Sequence, residues 1–365
     1  MRRATFLCLL SCAAALGGLA AVASARQSDA TIVEVIAVQG AIDRPLLGYL
    51  EQKLDAAEAE GAVVVLQLNT AGTMNEDGVA LADRVANLDV PTIAWIGPAP
   101  SRASGAGLLL MYASSIAAVY PGSQTGPLEP IDLAHPDERP ADLPATIAGW
   151  LEAHGRPAVD LDRPDVPLTA QQALDEGIAS IAAPSVTDLL DQVDEHSVVT
   201  AAGSTILHTH VATTEAEAEA GTVEIRFNNL GPVKRIAHGV SSPSMIYFLV
   251  VIGVAALAFE LTQPGFGFAG FSGVGLVALA LYGLTVVPVD WLGLALLLGG
   301  IALLIVDVRI RRLSVLTYAG VVAFGVGSVL AWRGGSRLRS TPPAKSCSTR
   351  PTARSRATQI GRAHV

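Results

Sequence analysis

A chain of 365 residues, 51% hydrophobic, 16% charged and with a formal charge of −9, is long enough for one large domain or two. Between Arg26 and Val198 there are 26 Asp and Glu against 8 Lys and Arg, a balance that repels phosphate and so excludes a nucleic-acid interface. Cysteine is as restrictive: Cys8, Cys12 and Cys347 all lie near the termini, so disulfides, thiol catalysis and cysteine metal sites are excluded from the body of the chain.

The apolar residues gather at the N-terminus and after Met245, which predicts a membrane protein with a soluble part between. Met1-Arg2-Arg3, an apolar run from Thr5 to Ala23 and the small-x-small site Ala23-Ser24-Ala25 read as a secretory signal peptide over 1–25. Leu10-Ser11-Cys12 is not a lipobox, because the apolar run continues past the cysteine.

Thr31 to Val38 predicts a strand, and Pro45 to Gly61 a helix with Leu46, Leu47, Leu50, Leu54 and Ala57 at helical spacing. Ala62 to Leu68 is a buried-type strand ending at Asn69-Thr70-Ala71-Gly72-Thr73. A helix over Asp77 to Leu88 and a strand over Pro91 to Gly97 follow. The chain then enters its organising stretch, Ser101 to Gly126. There a small-residue elbow, Ala103-Ser104-Gly105-Ala106-Gly107, feeds the apolar Leu108 to Ala113, the strand Ile116 to Val119 and a Pro121-Gly122 turn. This βαβαβ alternation predicts a parallel sheet covered by helices, with functional groups on the loops leaving the strand ends. An elbow between strand and helix can also hold a serine hydroxyl above free backbone N–H groups, which makes Ser104 the candidate nucleophile.

Pro127 to Pro167 is rich in Pro, Asp and Ala, with one helix over Ala145 to His154. Thr169 caps a helix that stops at Gly177. Ile178 to Ala182 reads as a strand, Val186 to His196 as a helix, and Ser204 to Val211 and Thr222 to Phe227 as strands around the acidic Glu215 to Glu219. Four apolar spans follow: Met245 to Leu261, Phe266 to Val289, Trp291 to Val306 and Leu313 to Trp332. The basic Arg309-Ile310-Arg311-Arg312 loop belongs in the cytoplasm, which puts the soluble domain outside a cytoplasmic membrane. After about Gly335 the chain loses periodicity, and Ile360 to Val365 resembles translated adapter sequence. The expectation is a natural chain that continues past Trp332.

With these motifs in order, the sequence resembles the NfeD-type membrane proteins, whose exported domain is a ClpP-class serine protease with a crotonase-like fold. The resemblance rests on Val63 to Thr73, the Ser104 elbow, Tyr120 to Gly126, Leu168 to Leu174, and Phe259-Glu260-Leu261-Thr262-Gln263-Pro264-Gly265. It implies an α/β ClpP/crotonase-like exported domain over 26–198, a β-rich linker over 199–244, four transmembrane helices over 245–332, and a tail over 333–365. It further implies proteolysis by a Ser–Lys dyad without cofactor or metal, an oxyanion hole formed with a Thr-Pro-Gly-Gly loop, a homo-oligomer, and a polypeptide or stomatin-like membrane partner.

The chain departs from that pattern at each catalytic feature. Aligned through Tyr112-Ala113-Ser114, Gly105 takes the nucleophile position and Ser104 is displaced by one. The oxyanion loop is Thr70-Ala71-Gly72-Thr73, with Gly72, Thr73 and Ala106 as the corresponding binding positions and a β-branched residue where a second glycine stands in the family. Lys53 is the only lysine between Arg26 and Lys234. A serine needs a base within about 3 Å, and only His135 and His154 lie between the elbow and Val186. The resulting expectation is a degenerate, partner-binding homologue, with an active endopeptidase using Ser104 as the alternative. An acyl-CoA enzyme is disfavoured by export. His208-Thr209-His210 could place two imidazoles on one strand face without a third metal ligand, Glu260 could be a buried polar contact or an interfacial carboxylate, and Gly267, Gly270, Gly273 and Gly275 suggest close helix packing.

Overall fold

The structure, a computed structural model, describes residues 31–140, 142–161, 165–211, 223–260, 267–287, 289–310 and 315–331. The expected signal peptide, the acidic run Glu215 to Glu219, the motif residues Thr262 to Gly265 and the tail after Trp332 lie outside them.

Strands β1 (Ile32–Gln39), β2 (Val63–Asn69), β3 (Thr92–Ile96), β5 (Ile116–Val119), β8 (Ile181–Ala182) and β11 (Glu224–Asn228) form one sheet in the order β11-β1-β2-β3-β5-β8. Every pairing in it is parallel. Both faces are covered, as an all-parallel sheet requires. Ile36, Val64, Leu66, Ala94 and Ile96 face one apolar layer, and the alternate residues Val33, Val35, Val65, Ile93 and Trp95 face the other, the two-residue period of the strands. The last strand comes from beyond residue 198: Ile32 pairs with Glu224 and Ile36 with Asn228, so the stretch read as a linker supplies a sheet edge.

Helix α1 (Arg44–Glu60) starts where Asp43 Oδ1 accepts the Leu46 N–H at 3.1 Å and ends at left-handed Gly61. Leu46, Leu50, Leu54 and Ala57 form its buried stripe. Helix α2 (Gly78–Ala86) is capped by Asp77, and α3 (Ala106–Ala113) is buried at every residue. Helices α4 (Leu143–Ala153), α5 (Ala170–Asp175) and α6 (Val186–Val193) complete the cover, α5 behind a Thr169–Gln172 capping box. A small second sheet joins β4 (Arg102–Ala103), β6 (Gln124–Thr125) and β7 (Leu168–Thr169).

The helix expected to reach His196 ends at Val193. Glu195 takes a positive φ of 58° and the chain turns into β9 (Ser197–Thr200), which pairs with β10 (Gly203–Ile206). Residues 208–211 are therefore not in a strand. Thr209 is buried, its hydroxyl donating to Leu190 O at 2.7 Å, and the His208/His210 strand-face reading fails. Among the described residues no group of three or more His, Cys, Asp or Glu could hold a metal.

A short helix, α7 (Pro232–Val240), leads to four apolar helices: α8 (Pro243–Glu260), α9 (Phe268–Val286), α10 (Trp291–Ile310) and α11 (Val315–Leu330). They pack as two antiparallel hairpins. Among the described residues Phe268–Val286 alone is long and apolar enough to cross a membrane, and the bent pair α7–α8 supplies a second span if taken as one. Glycines set the closeness: a Cβ at Gly273 would lie 3.0 Å from Leu257 N, and one at Gly320 3.0 Å from Leu304 Cγ. Gly275, expected to pack likewise, faces open space. Glu260 is a helix cap, accepting from Gly267 N and, at 3.0 Å, from Gly270 N at the start of α9.

Candidate active site

Strands β2, β3 and β5 all end on one side of the sheet, and the loops leaving them meet there, at the position where parallel α/β sheets place ligands. The first loop carries Thr70 to Thr73, the second Ser104 and Gly105, the third the segment Pro127 to Leu133. Ser104 N donates to Thr70 O at 3.1 Å and Gly105 N to Pro127 O at 2.9 Å, so the three loops are stitched through the elbow.

The elbow has the sharp strand-to-helix geometry of a nucleophile turn, with a glycine at its apex. Gly105 sits at φ 54°, ψ −126° immediately before α3, the strained strand-to-helix conformation that lifts a side chain above helix N–H groups. Gly105 offers no side chain to lift. A Cβ there would overlap the Pro130 carbonyl oxygen and come within 3.0 Å of Ala71 O. Ser104, one residue earlier, is 7% exposed, and its hydroxyl makes no hydrogen bond among the described residues.

The loop positions expected to serve an oxyanion are engaged as well. Thr73 N donates to Ile131 O at 2.9 Å and the Thr73 hydroxyl to the same oxygen at 3.2 Å, while Leu133 N returns to Thr73 O at 2.9 Å. Gly72 N is held by Thr70 Oγ1 at 3.3 Å. The β-branched Thr73 costs the loop nothing, since the left-handed conformation falls on Gly72 (φ 138°), where a Cβ would lie 2.6 Å from Ile131 O. Ala106 packs beside Gly78 and the Ile131 side chain. The segment Pro127 to Leu133 thus lies in the cleft as a strap, hydrogen-bonded as a bound peptide would be. Asp165 clamps it, accepting from Leu128 N at 2.6 Å and Glu129 N at 2.9 Å.

Neither histidine serves Ser104. His154 lies at the far end of α3, its Nδ1 2.8 Å from Val199 O and its Nε2 2.9 Å from Ala113 O. Arg156 beside it donates to Tyr112 O, Ser114 O and Ile178 O. Burial pushes the Arg156 guanidinium down to about 10. Both side chains satisfy carbonyls that a helix C-terminus leaves without partners. His135 is 2.7 Å from Asp132 Oδ2 and lines a cavity of about 580 Å3 with Glu76, Asp77, Ile131 and Arg139, a lining that excludes Ser104 and Gly105. Lys53 pairs at 3.9 Å with Glu34 on β1. What the sequence reading missed is the strap. Its signal was the Pro-rich run after Gly126, since proline keeps a carbonyl acceptor but has no N–H.

The chain thus joins a parallel α/β domain, with an elbow at its strand ends, to apolar helical hairpins. Residues 244–350 match the NfeD integral membrane domain. It is 21% identical over 316 residues to the membrane-bound protease PH1510 of Pyrococcus horikoshii, covering 83% of this chain and 70% of that protein. It is 22% identical over 308 residues to the membrane protein NfeD1b of Bacillus subtilis, covering 84% and 67%. Among solved structures, 1510-N, a membrane protease specific for a stomatin homolog from P. horikoshii, aligns with TM-score 0.47 and 19% identity over 58% of this chain and 99% of that one.

Proposed function

We propose that the protein is a membrane-anchored homologue of the ClpP-class serine proteases that no longer cuts peptide bonds and acts by holding a polypeptide or membrane-protein partner. One observation carries this reading: at the nucleophile position Gly105 has no side chain, and the space for one is taken by the Pro130 carbonyl. Without an activated hydroxyl, acyl transfer has no attacking group. With Thr73 N already satisfied, a developing oxyanion has one donor fewer. A bound polypeptide would take the place of the strap, using the hydrogen bonds the strap now makes. The relative specific for a stomatin homolog makes a stomatin-like membrane protein the first partner to test. In this reading all four apolar helices cross the cytoplasmic membrane, with the α/β domain outside.

The test uses the full chain in nanodiscs, treated with a fluorophosphonate probe beside a Ser104→Ala variant, and then with a tagged stomatin-like protein. Binding without labelling supports the proposal. Labelling that disappears in Ser104→Ala would establish the competing reading, an active endopeptidase using Ser104.

A further inference from the structure

Helix α7 is amphipathic, yet it is turned the opposite way from a surface helix of a soluble domain. Its polar side faces the α/β domain: Lys234 Nζ donates to Gln52 Oε1 at 3.1 Å and lies 5.6 Å from the centroid of the Tyr49 ring. His238 Nδ1 lies 2.9 Å from Asp43 Oδ1 and its Nε2 3.0 Å from Gln39 O. On its apolar side Val240 is buried, but Val233 and Ile236 are left uncovered, at 79% and 59% exposed. A helix in water buries its apolar stripe and solvates its charges. One lying at a membrane surface does the reverse toward the lipid.

What covers that stripe follows from the elements around it. The match to the integral membrane domain begins at residue 244, just after α7 ends at Val240. The chain turns by 88° between α7 and α8, so a helix α8 that enters the bilayer along its normal leaves α7 lying in the membrane plane. The carbonyl of Val240 would come within 2.9 Å of a Cβ at Gly283 of α9, which fixes α7 against the end of the first hairpin. Met245 and Phe248, at the start of α8, are likewise uncovered, at 46% and 56%.

We infer that α7 is an interfacial helix whose Val233 and Ile236 insert into the headgroup–acyl boundary of the leaflet that α8 enters, while Lys234 and His238 hold the α/β domain down on that surface. The domain is then seated on the membrane at a fixed height and orientation. The inference rests on α8 and α9 entering the bilayer.

The test replaces Cys8, Cys12 and Cys347 by Ser in the full chain and reconstitutes it in nanodiscs of phosphatidylcholine and phosphatidylglycerol. Nitroxide labels are placed one at a time at Val233→Cys and Ile236→Cys, with Phe259→Cys on α8 as the lipid reference and Glu51→Cys on α1 as the aqueous one. Power-saturation EPR then compares collisions with oxygen and with a nickel chelate. The expected result is an oxygen-to-nickel ratio at 233 and 236 several-fold above that at 51 and close to that at 259. A ratio equal to that at 51, with 259 reading as lipid, overturns the inference alone; an aqueous 259 overturns the membrane reading beneath it. Spin–spin broadening at 233 or 236 that disappears on dilution with unlabelled chain would assign the face to a second copy and also overturn the inference. Quenching of a bimane at the same positions by brominated lipid gives a second measurement, expected at 233 and 236 and absent at 51.

Discussion

A serine placed at Gly105, the position proposed above for a nucleophile, should damage this protein before it could activate it. In Gly105→Ser the new Cβ must adopt φ near 54°, ψ near −126°, a region that costs a residue with a side chain about 1–3 kcal/mol. It also collides with Pro130 O, so the strap must move. Moving it breaks Gly105 N to Pro127 O and Thr73 N to Ile131 O, at about 0.5–1.5 kcal/mol each. It also draws on the burial of Ile131, 6% exposed, worth about 1.5–3 kcal/mol if the side chain leaves entirely. Backbone strain and the two hydrogen bonds alone come to roughly 2–6 kcal/mol, a large part of the stability of an ordinary domain. The assay is urea unfolding of the full chain in nanodiscs, followed by tryptophan fluorescence, beside Gly105→Ala. Both variants should lose stability in this range, and Gly105→Ser should stay unlabelled by fluorophosphonate. A Gly105→Ser protein within about 1 kcal/mol of the parent, at the level of an ordinary substitution, would show that the strap yields freely. The packing argument would then be refuted, more so if that variant were labelled and Gly105→Ala were not.

Other elements yield further expectations. Arg156→Ala removes the guanidinium that donates to Tyr112 O, Ser114 O and Ile178 O and should lower unfolding stability by at least about 3 kcal/mol, since three hydrogen bonds to a charged group at about 1.5–3 each amount to roughly 4–9, of which water entering the vacated space recovers part; Arg156→Lys should recover only part of this by the same urea midpoint, lacking the planar fork. For His238, the hydrogen bond to Asp43 outweighs burial and raises its pKa above the ordinary value of 6.5. A raised histidine contributes fully below the unfolded value and loses that contribution as pH rises through the folded one. The stability difference between parent and His238→Gln should therefore be largest below pH 6.5 and shrink as the solution becomes alkaline. Gly300→Leu should part α10 from α11, because a Cβ there meets the Phe324 backbone and lies 2.9 Å from Gly320 O; loss of a disulfide between Leu304→Cys and Gly320→Cys, formed readily in the Gly300 parent, would report it.

Much of the fold was legible because local chemistry and tertiary role agree in it. The valine-rich run at β2 is buried on both faces, the stripe of α1 repeats at helical spacing, and Asp77 and Thr169 start their helices with side-chain caps, so each could be read from neighbouring residues. The parts that escaped depend on distant partners. The two-residue strands β4, β6 and β7 exist only through one another, and β11 is a strand because β1 offers it an edge 192 positions away, as in the ion pair of Arg226 with Glu34. Helix α7 is short, and its alternation of apolar and basic residues gives no sign of which side meets water. At the site, the small-residue elbow between strand and helix was readable, but not that the positive φ of the Thr70 to Thr73 loop falls on Gly72, which depends on the strap packed against it. His154 was weighed as a base, although two carbonyl acceptors at its ring nitrogens make it a helix-end cap.

Two features of the domain bear on one question, whether its cleft can open. The strap is tied to the elbow and oxyanion loop through backbone groups, and these ties recur whatever side chains the strap carries. Asp165 adds a side-chain clamp at the start of the strap, a carboxylate that accepts two adjacent N–H groups, Leu128 and Glu129; charge-assisted bonds of this kind are the stronger ones. Removing that clamp leaves the backbone ties intact, so Asp165→Ala separates the two contributions in a way no substitution at Gly105 can. If the strap is a permanent wall of the domain, amide exchange at Leu128 and Glu129 should rise locally in Asp165→Ala while Thr73 and Gly105 stay protected to the level of global unfolding. If the strap instead occupies a cleft meant for another chain, all four amides should lose protection together, and a stomatin-like partner should bind the variant more tightly than the parent, because less must be displaced to admit it. Unchanged protection at all four would refute the clamp itself.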